Sequence, residues 1–304
     1  MQDQAKGTPI LTVVLIGLFW GLNWPAVKYM LTEMPPMTIR AMAFPVAAVC
    51  LAAIAWGRGD NMRPAPGEFV PMIVTGLLVV CGFNVLTALG QMLTETSKAA
   101  IIAYTMPALT AGFAAVFLGE RLGKMRLIAL AVGMIGLGVL ASENFAALIS
   151  DPRGPAIMML AALSWALGNV ALKARKWSLS SLSLTIWFFV ASSVFIWPLV
   201  LIFEPPWQQS MPSTPVLLTL AYHALGPMVV CYALWTALVG RLSASVAAIT
   251  SLLAPVVGVS SAVVLLGDAV TWQKIVSLGL ILLSIKLAIA PPSEAEQKPV
   301  KSQS

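Results

Sequence analysis

Tryptophan, asparagine and proline stand together in one apolar stretch near the N-terminus, LFWGLNWPAVKYM, which runs from Leu18 to Met30. At about 100° per residue, Trp20, Asn23 and Trp24 fall on one face of a helix. Lipid offers an asparagine amide no hydrogen-bond partner, so Asn23 should face the interior of a helix bundle. Aromatic faces and amide groups together could bind a small organic solute. Pro25 in the same helix would act as a kink or a hinge.

Two ordinary explanations compete with this cavity-lining role. Tryptophans can belong to the belt at the membrane–water interface, and an asparagine can bond to a neighbouring helix. Trp20 lies about ten residues into the apolar stretch, which is too deep for the interfacial belt. The cavity-lining interpretation is therefore favoured, and the structural role of Asn23 stays open.

The same chemistry recurs further along the chain. Trp165 and Asn169 repeat the aromatic and amide face, and neither of the two faces carries a charge. His223 is the only histidine, and either a structural hydrogen bond or a role with substrate or proton fits it. Pro107 and Pro255, which occupy equivalent places in the two halves, are expected to bend their spans beside the cavity as kinks or hinges. Hydroxyls before Pro255 could bond freed backbone carbonyls or contact a solute. The other candidate substrate-binding residues are Phe83, Asn84, Thr87, Tyr104, Tyr232, Trp235, Ser245 and Ser251.

The elements that would position these residues are membrane-spanning helices. Hydrophobic residues make up 59% of the 304 positions and charged residues 10%, whereas soluble domains carry about 25% charged residues. Apolar runs of about 20 residues, the length that crosses a bilayer, recur along the chain. They predict ten spans, at 10–31, 36–57, 68–91, 97–118, 124–142, 154–174, 181–203, 214–240, 245–266 and 272–290.

The basic residues indicate an orientation. With a cytoplasmic N-terminus, 13 of the 18 Lys and Arg residues fall on the cytoplasmic side, as the positive-inside rule requires. Both termini are then cytoplasmic, with residues 1–9 before the first span and a disordered tail at 291–304. The net charge of +6 is spread over loops, which argues against nucleic acid as a partner. The three cysteines have no metal-ligand spacing, so no metal and no cofactor are expected.

The two halves of the chain repeat one another at a distance of about 145–149 residues. LFWGLNWPAVK (18–28) matches LSWALGNVALK (163–173), and LTALGQML (86–93) matches WTALVGRL (235–242). In the clearest match, Ser97, Pro107, Gly119 and Glu120 align with Ser245, Pro255, Gly267 and Asp268. Each half holds five spans, so the second half would enter the membrane from the opposite side. Such inverted repeats are typical of transporters.

The sequence resembles the EamA family of the drug/metabolite transporter superfamily. The resemblance is carried by FWGLNWPAVK, by SKAAIIAYTMPALTAGFAAVFLGERL and by the glycine-rich LIALAVGMIGLGVL, and it covers nearly the whole chain. More closely, the chain is similar to the YddG-type amino-acid exporters. The family implies an all-α integral membrane protein of ten transmembrane helices, with two five-helix inverted repeats around a central cavity. The repeats would occupy 10–142 and 154–290.

Function follows from the chamber and from the placement of the acidic residues. No Asp or Glu lies clearly at midspan, which weighs against tight proton or sodium coupling. A single histidine and no G-x-S-x-G motif argue against an enzyme. A tryptophan-rich chamber without charge suits amino acids, aromatic and other neutral ones included, exported by alternating access across the inner membrane by a monomer. Efflux of drugs or lipophilic cations is the alternative.

Overall fold

In the part of the chain that the structure describes, seven helices are long and apolar enough to cross a membrane. The structure is a computed structural model that describes residues 4–94, 99, 102–143, 151–266 and 270–289, without the side chains of 4–10, 244–245, 261–266 and 289. All regular secondary structure within these residues is helical. The seven long helices are α1 (Gln4–Met30), α2 (Pro36–Gly57), α3 (Phe69–Leu93), α5 (Lys124–Ser142), α6 (Arg153–Lys173), α7 (Ser181–Phe203) and α8 (Thr214–Arg241).

Four shorter helices complete the described bundle: α4 (Met106–Leu118), α9 (Ala244–Thr250), α10 (Leu253–Leu266) and α11 (Trp272–Ile289). The chain is therefore a multi-pass helical membrane protein. The predicted spans at 97–118 and 272–290 begin or end in residues outside the described part, and the span at 245–266 is interrupted by a turn at Ser251 and Leu252. Ser97, Gly267 and Asp268, which carry the repeat match, also lie outside it, as does the tail at 291–304.

Matching irregularities interrupt the helices of the two halves. α3 contains a π-helical segment at Leu77–Gly82, and α8 contains one at Ala224–Cys231, beginning 147 residues later. Tyr104 and Thr105 form a turn directly before α4, and Ser251 and Leu252 form a turn between α9 and α10. π-helical segments inside α-helices occur often at functional sites.

Prolines stand next to both of the turns. Pro107 occupies the first turn of α4, where its missing N–H costs no hydrogen bond. Pro255 lies in the first turn of α10. Thr105 Oγ1 donates to the Ile102 carbonyl and Ser251 Oγ to the Ala248 carbonyl, both at 2.7 Å. In contrast, α1 runs through Pro25 without a break.

The helices of the two halves pack on each other reciprocally. α1 packs on α8 and α10, and its counterpart α6 packs on α3 and α4. α2 packs on α7, and α5 packs on α11. Gly133 of α5 permits one of these approaches, because an added Cβ would lie only 2.7 Å from Ser284 Oγ of α11.

Hydrogen bonds between connecting segments define two ends of the bundle. At the Glu204 end, the Glu204 carboxylate accepts from Met37 N and Thr38 N at the start of α2, at 3.0 and 2.7 Å. At the Glu68 end, the Glu68 carboxylate accepts from Ser178 N and Oγ, at 2.8 and 2.6 Å. The Ser178 hydrogen bonds hold the pKa of Glu68 below its usual value. Since α2 runs between the two ends with 22 residues, they lie about 33 Å apart.

Candidate functional site

The candidate site is a small, partly open chamber lined by helices of both halves. Its volume is about 60 Å³, which holds a few water molecules. α1 and α3 contribute half of the lining residues, and α2, α4, α6, α8 and α10 with the turns before α4 and α10 contribute the rest. The lining residues are Trp20, Asn23, Trp24, Val27, Arg40, Phe83, Asn84, Thr87, Gln91, Tyr104, Met106, Trp165, Met228, Tyr232, Ser251 and Ala254.

An aromatic cluster joins α1, α6 and α8 at this chamber. Trp20 meets Trp165 edge to face, with ring centroids 5.3 Å apart and an interplanar angle of 80°. Tyr232 lies 5.8 Å from Trp20 and 5.9 Å from Trp165, also at steep angles. Phe83 lies 4.8 Å from Trp165. Such pairs contribute about 0.5–1.5 kcal/mol each beyond area burial, so they fix the wall in one arrangement.

A polar chain crosses the same region and links α1, α2, α3 and α8. Arg40 is only 1% exposed. Its Nε donates to the Asn84 carbonyl at 3.2 Å, and its Nη1 lies 2.6 Å from His223 Nε2. His223 Nδ1 lies 2.7 Å from Asn23 Oδ1. A guanidinium group can only donate, so His223 Nε2 must accept and Nδ1 must carry the proton that Asn23 accepts. The geometry therefore requires a neutral imidazole.

The amide of Asn84 extends the polar chain to Tyr232. Asn84 Nδ2 lies 2.6 Å from Tyr232 Oη and 2.8 Å from the Val80 carbonyl, and Tyr232 Oη donates to the Val79 carbonyl at 3.1 Å. Both carbonyls belong to the π-helical segment of α3. The wide turn thus places free backbone carbonyls where buried side chains satisfy them.

Three buried polar side-chain atoms have no hydrogen-bond partner among the described residues: Gln91 Oε1, Thr110 Oγ1 and Trp165 Nε1. Gln91 and Trp165 line the chamber. An unpaired buried donor or acceptor costs about 1–3 kcal/mol, so each of the two retains capacity to bind a polar ligand group. Together they offer one acceptor and one donor.

Ten of the fourteen predicted binding residues line the chamber: Trp20, Asn23, Trp24, Phe83, Asn84, Thr87, Tyr104, Trp165, Tyr232 and Ser251. Three others are buried behind the lining. Asn169 Oδ1 accepts from Trp235 Nε1 at 2.7 Å, and Asn169 Nδ2 donates to the Trp165 carbonyl at 2.8 Å. His223 stands behind Arg40. The side chain of Ser245 lies outside the described residues.

The expectation of a chamber without charge is wrong. Arg40 lines it, although sequence reasoning gave this residue no role. A single arginine five residues into the 22-residue α2 was the available signal, because ionisable residues inside spans are rare and usually functional. Gln91, Met106, Met228 and Ala254 were also missed. Lys28 does not line the chamber, and its Nζ donates to the Gln91 carbonyl at 2.7 Å.

A bundle of membrane-spanning helices that encloses a polar and aromatic chamber between two repeated halves defines a membrane transporter. The chain belongs to the EamA-like transporter family, whose model matches it twice, at residues 7–142 and 152–290.

Several of its relatives are named as transporters or efflux pumps. It is 26% identical to the uncharacterized transporter YvbV of Bacillus subtilis, over 94% of this chain and 93% of that protein. It is also 26% identical to a probable amino-acid metabolite efflux pump of Salmonella typhimurium, over 91% of this chain and 93% of that protein. A solved crystal structure with 21% identity superposes with a TM-score of 0.77, covering 92% of this chain and 95% of that one. This likeness shows a shared fold.

Proposed function

We propose that this protein exports amino acids, aromatic and other neutral ones, from the cytoplasm by alternating access through the chamber. The observation that carries the proposal is the chamber itself, which combines an aromatic wall with unpaired polar atoms between the two halves. Aromatic faces suit apolar side chains and ammonium groups, and amides supply both donors and acceptors. The relative named as a probable amino-acid metabolite efflux pump supports the same substrate class.

The volume of the chamber supports a moving transporter. Pockets for small molecules measure about 300–1,000 Å³, whereas the chamber holds about 60 Å³. An amino acid therefore enters only when helices separate. The π-helical segments and the turns before α4 and α10 lie beside the lining residues Phe83, Tyr104, Tyr232 and Ser251, and we assign the motion to them. Pro107 and Pro255 act as hinges in this proposal.

Architecture and orientation complete the proposal. Ten spans form two five-helix units of inverted topology, at 10–142 and 154–290, and the reciprocal packing of the helices supports this arrangement. The Glu68 end carries Arg58, Arg63, Arg175 and Lys176, so it faces the cytoplasm by the positive-inside rule. Both termini then lie on that side of the inner membrane. The monomer is the transporting unit, and transport needs no enzymatic step.

Efflux of lipophilic cations is the second candidate, and the aromatic wall favours it. The chamber lining argues against this candidate, because it includes no acidic side chain among the described residues. A cation desolvated in the membrane interior needs a negative partner. Amino acids therefore remain the first candidate.

Flux through purified protein in liposomes tests the proposal. Trp165→Ala removes the ring that joins Trp20, Phe83 and Tyr232, and we expect amino-acid flux per folded molecule to fall at least about tenfold. Trp56→Ala is the matched control, because Trp56 is 79% exposed on the outer surface of α2. Unchanged normalised flux in both Trp20→Ala and Trp165→Ala would refute transport through this chamber.

A further inference from the structure

We infer that Arg40 is the anchor for a carboxylate group of the transported solute, so that the chamber selects carboxylates over amines and over neutral molecules. The inference rests on the proposed transport function and deepens it by naming the charged group that the site recognises. It also separates the two candidate functions, since a fixed cation repels a lipophilic cation.

The Arg40 guanidinium lies inside the helix bundle. Arg40 belongs to the second turn of α2, close to the Glu204 end. Helical side chains lean toward the N-terminus of their helix, so Arg40 could reach the membrane surface by snorkelling, as arginines near span ends ordinarily do. Instead it contacts Asn84 and His223. At 1.5 Å per residue, these partners lie about 10–14 Å from the ends of their helices, well inside the bundle.

The Arg40 guanidinium has no countercharge among the described residues. No carboxylate among the described residues lies within 4 Å of Arg40, and its two hydrogen-bonded side-chain and backbone partners are neutral. A buried charge in a membrane interior is costly unless it is paired. No described protein group neutralises the Arg40 charge, so we expect an anionic group of a ligand to neutralise it.

The Arg40 guanidinium has N–H groups that its partners in the protein do not use. Arginine has five N–H donors in a rigid fork. Nε and one N–H of Nη1 are used, while Nη2 has no partner among the described residues. Three N–H groups on the Nη1 and Nη2 nitrogens therefore remain for a ligand. Paired N–H groups of this kind bind the two oxygens of a carboxylate side by side.

The surroundings hold the fork in position. The Asn84 carbonyl fixes Nε, and His223 fixes Nη1 while its other ring nitrogen is fixed by Asn23. His223 and Asn23 are thus positioning residues for Arg40. Trp165 Nε1 is an additional unpaired donor for the carboxylate, and Gln91 Oε1 is an unpaired acceptor for an ammonium group. Neutral amino acids carry both of these groups.

The test is a binding matrix on full-length protein in lipid nanodiscs. The ligands are phenylalanine, phenylalaninamide, 3-phenylpropionate and phenethylamine. Phenylalanine carries a carboxylate and an ammonium group, and phenylalaninamide carries an ammonium group and a neutral amide. 3-Phenylpropionate carries only the carboxylate, and phenethylamine carries only the ammonium group. A second set of four ligands carries the same groups on an aliphatic pentyl chain. It tests whether the preference for a carboxylate depends on the aromatic ring. We expect wild-type protein to bind each carboxylate at least about tenfold more tightly than its amide or amine counterpart.

Arg40→Gln should weaken binding of both carboxylates about 10- to 100-fold and leave the amide and the amine unchanged. Arg40→Lys keeps the charge but loses the fork, so an intermediate loss is expected, and it supplies a second variant if Arg40→Gln does not fold. His223→Leu should reduce the preference for carboxylate over amide. Arg58→Gln is the matched control, since Arg58 is an exposed residue at the C-terminal end of the same helix.

Three results would overturn the inference: no preference for carboxylate over amide in wild-type protein, equal weakening of all four ligands in Arg40→Gln, or no binding of any carboxylate. The proposed function fails separately. If 3-phenylpropionate binds with Arg40-dependent affinity but amino acids show no flux in liposomes, Arg40 is a carboxylate anchor and the transported solute is a different carboxylic acid.

Discussion

The Asn169 side chain holds the chamber wall together from behind. Its Oδ1 accepts the Trp235 N–H at 2.7 Å and its Nδ2 donates to the Trp165 carbonyl at 2.8 Å, and all three residues are buried. Asn169→Ala leaves the Trp235 N–H without a partner in an apolar setting. We expect a loss of about 1–3 kcal/mol in stability, measured as a lower unfolding midpoint in detergent.

Trp235→Phe separates this hydrogen bond from simple packing. The phenylalanine removes the unpaired donor, so the double variant Asn169→Ala/Trp235→Phe should be less destabilised than the sum of the two single changes. Additive effects would contradict the assignment of Asn169 to a structural bond.

At the residue scale, the sequence indicates which faces hold polar and aromatic groups, and it does so well for α1. Trp20, Asn23, Trp24 and Val27 share the face that lines the chamber, because helical periodicity is a local property. Whether a side chain reaches a cavity or a neighbouring helix depends on partners far away in the sequence. Asn169 is satisfied by Trp235, 66 residues further on, and no local pattern reveals this. Arg40 shows the same limit, since its direction is set by α3 and α8.

At the scale of the helix, the interruptions are only partly readable in the sequence. Prolines mark the turns before α4 and α10, and the sequence predicts a bend at Pro107 and at Pro255. The π-helical segment of α3 contains no proline. α6 approaches this segment closely, since an added Cβ on Gly168 would lie 2.4 Å from Val79 Cγ2. Tertiary packing, which local propensity does not encode, therefore accompanies this feature.

Two glycines of α5 give a matched pair for testing helix packing. Of the two, only Gly133 lies against α11. A Cβ there would lie 2.7 Å from Ser284 Oγ and 2.8 Å from Leu252 Cδ1, whereas a Cβ on Gly138 meets nothing within 4 Å. Gly133→Ala should therefore lower the unfolding midpoint, at a cost of about 1–3 kcal/mol from overpacking.

Gly138→Ala is the control on the same helix. It adds a methyl group in open space and removes backbone freedom from the unfolded chain, so stability should stay equal or rise by up to about 1 kcal/mol. Equal destabilisation by the two changes would show that α5 does not pack on α11 through Gly133. The comparison uses identical substitutions, so the difference reports packing alone.

At the scale of the molecule, the chamber is not placed symmetrically. The first half supplies most of its lining, with four residues each from α1 and α3, whereas Asn169, the second-half counterpart of Asn23, lies behind the lining and is bonded to Trp235. The lining is therefore divided unequally between the two halves of the chain.

The two ends of the bundle provide the last prediction, which concerns orientation. In a protein without its native cysteines, Met211→Cys introduces a thiol at the Glu204 end, where Met211 is 87% exposed. Ala174→Cys introduces one at the Glu68 end, beside Arg175 and Lys176. Since the positive-inside rule places the Glu68 end in the cytoplasm, an impermeant maleimide should label Met211→Cys in intact cells and Ala174→Cys only after permeabilisation. The reverse pattern would invert the proposed orientation and with it the direction in which the chamber opens. Labelling of both thiols in intact cells would contradict the placement of the two ends on opposite faces of the membrane.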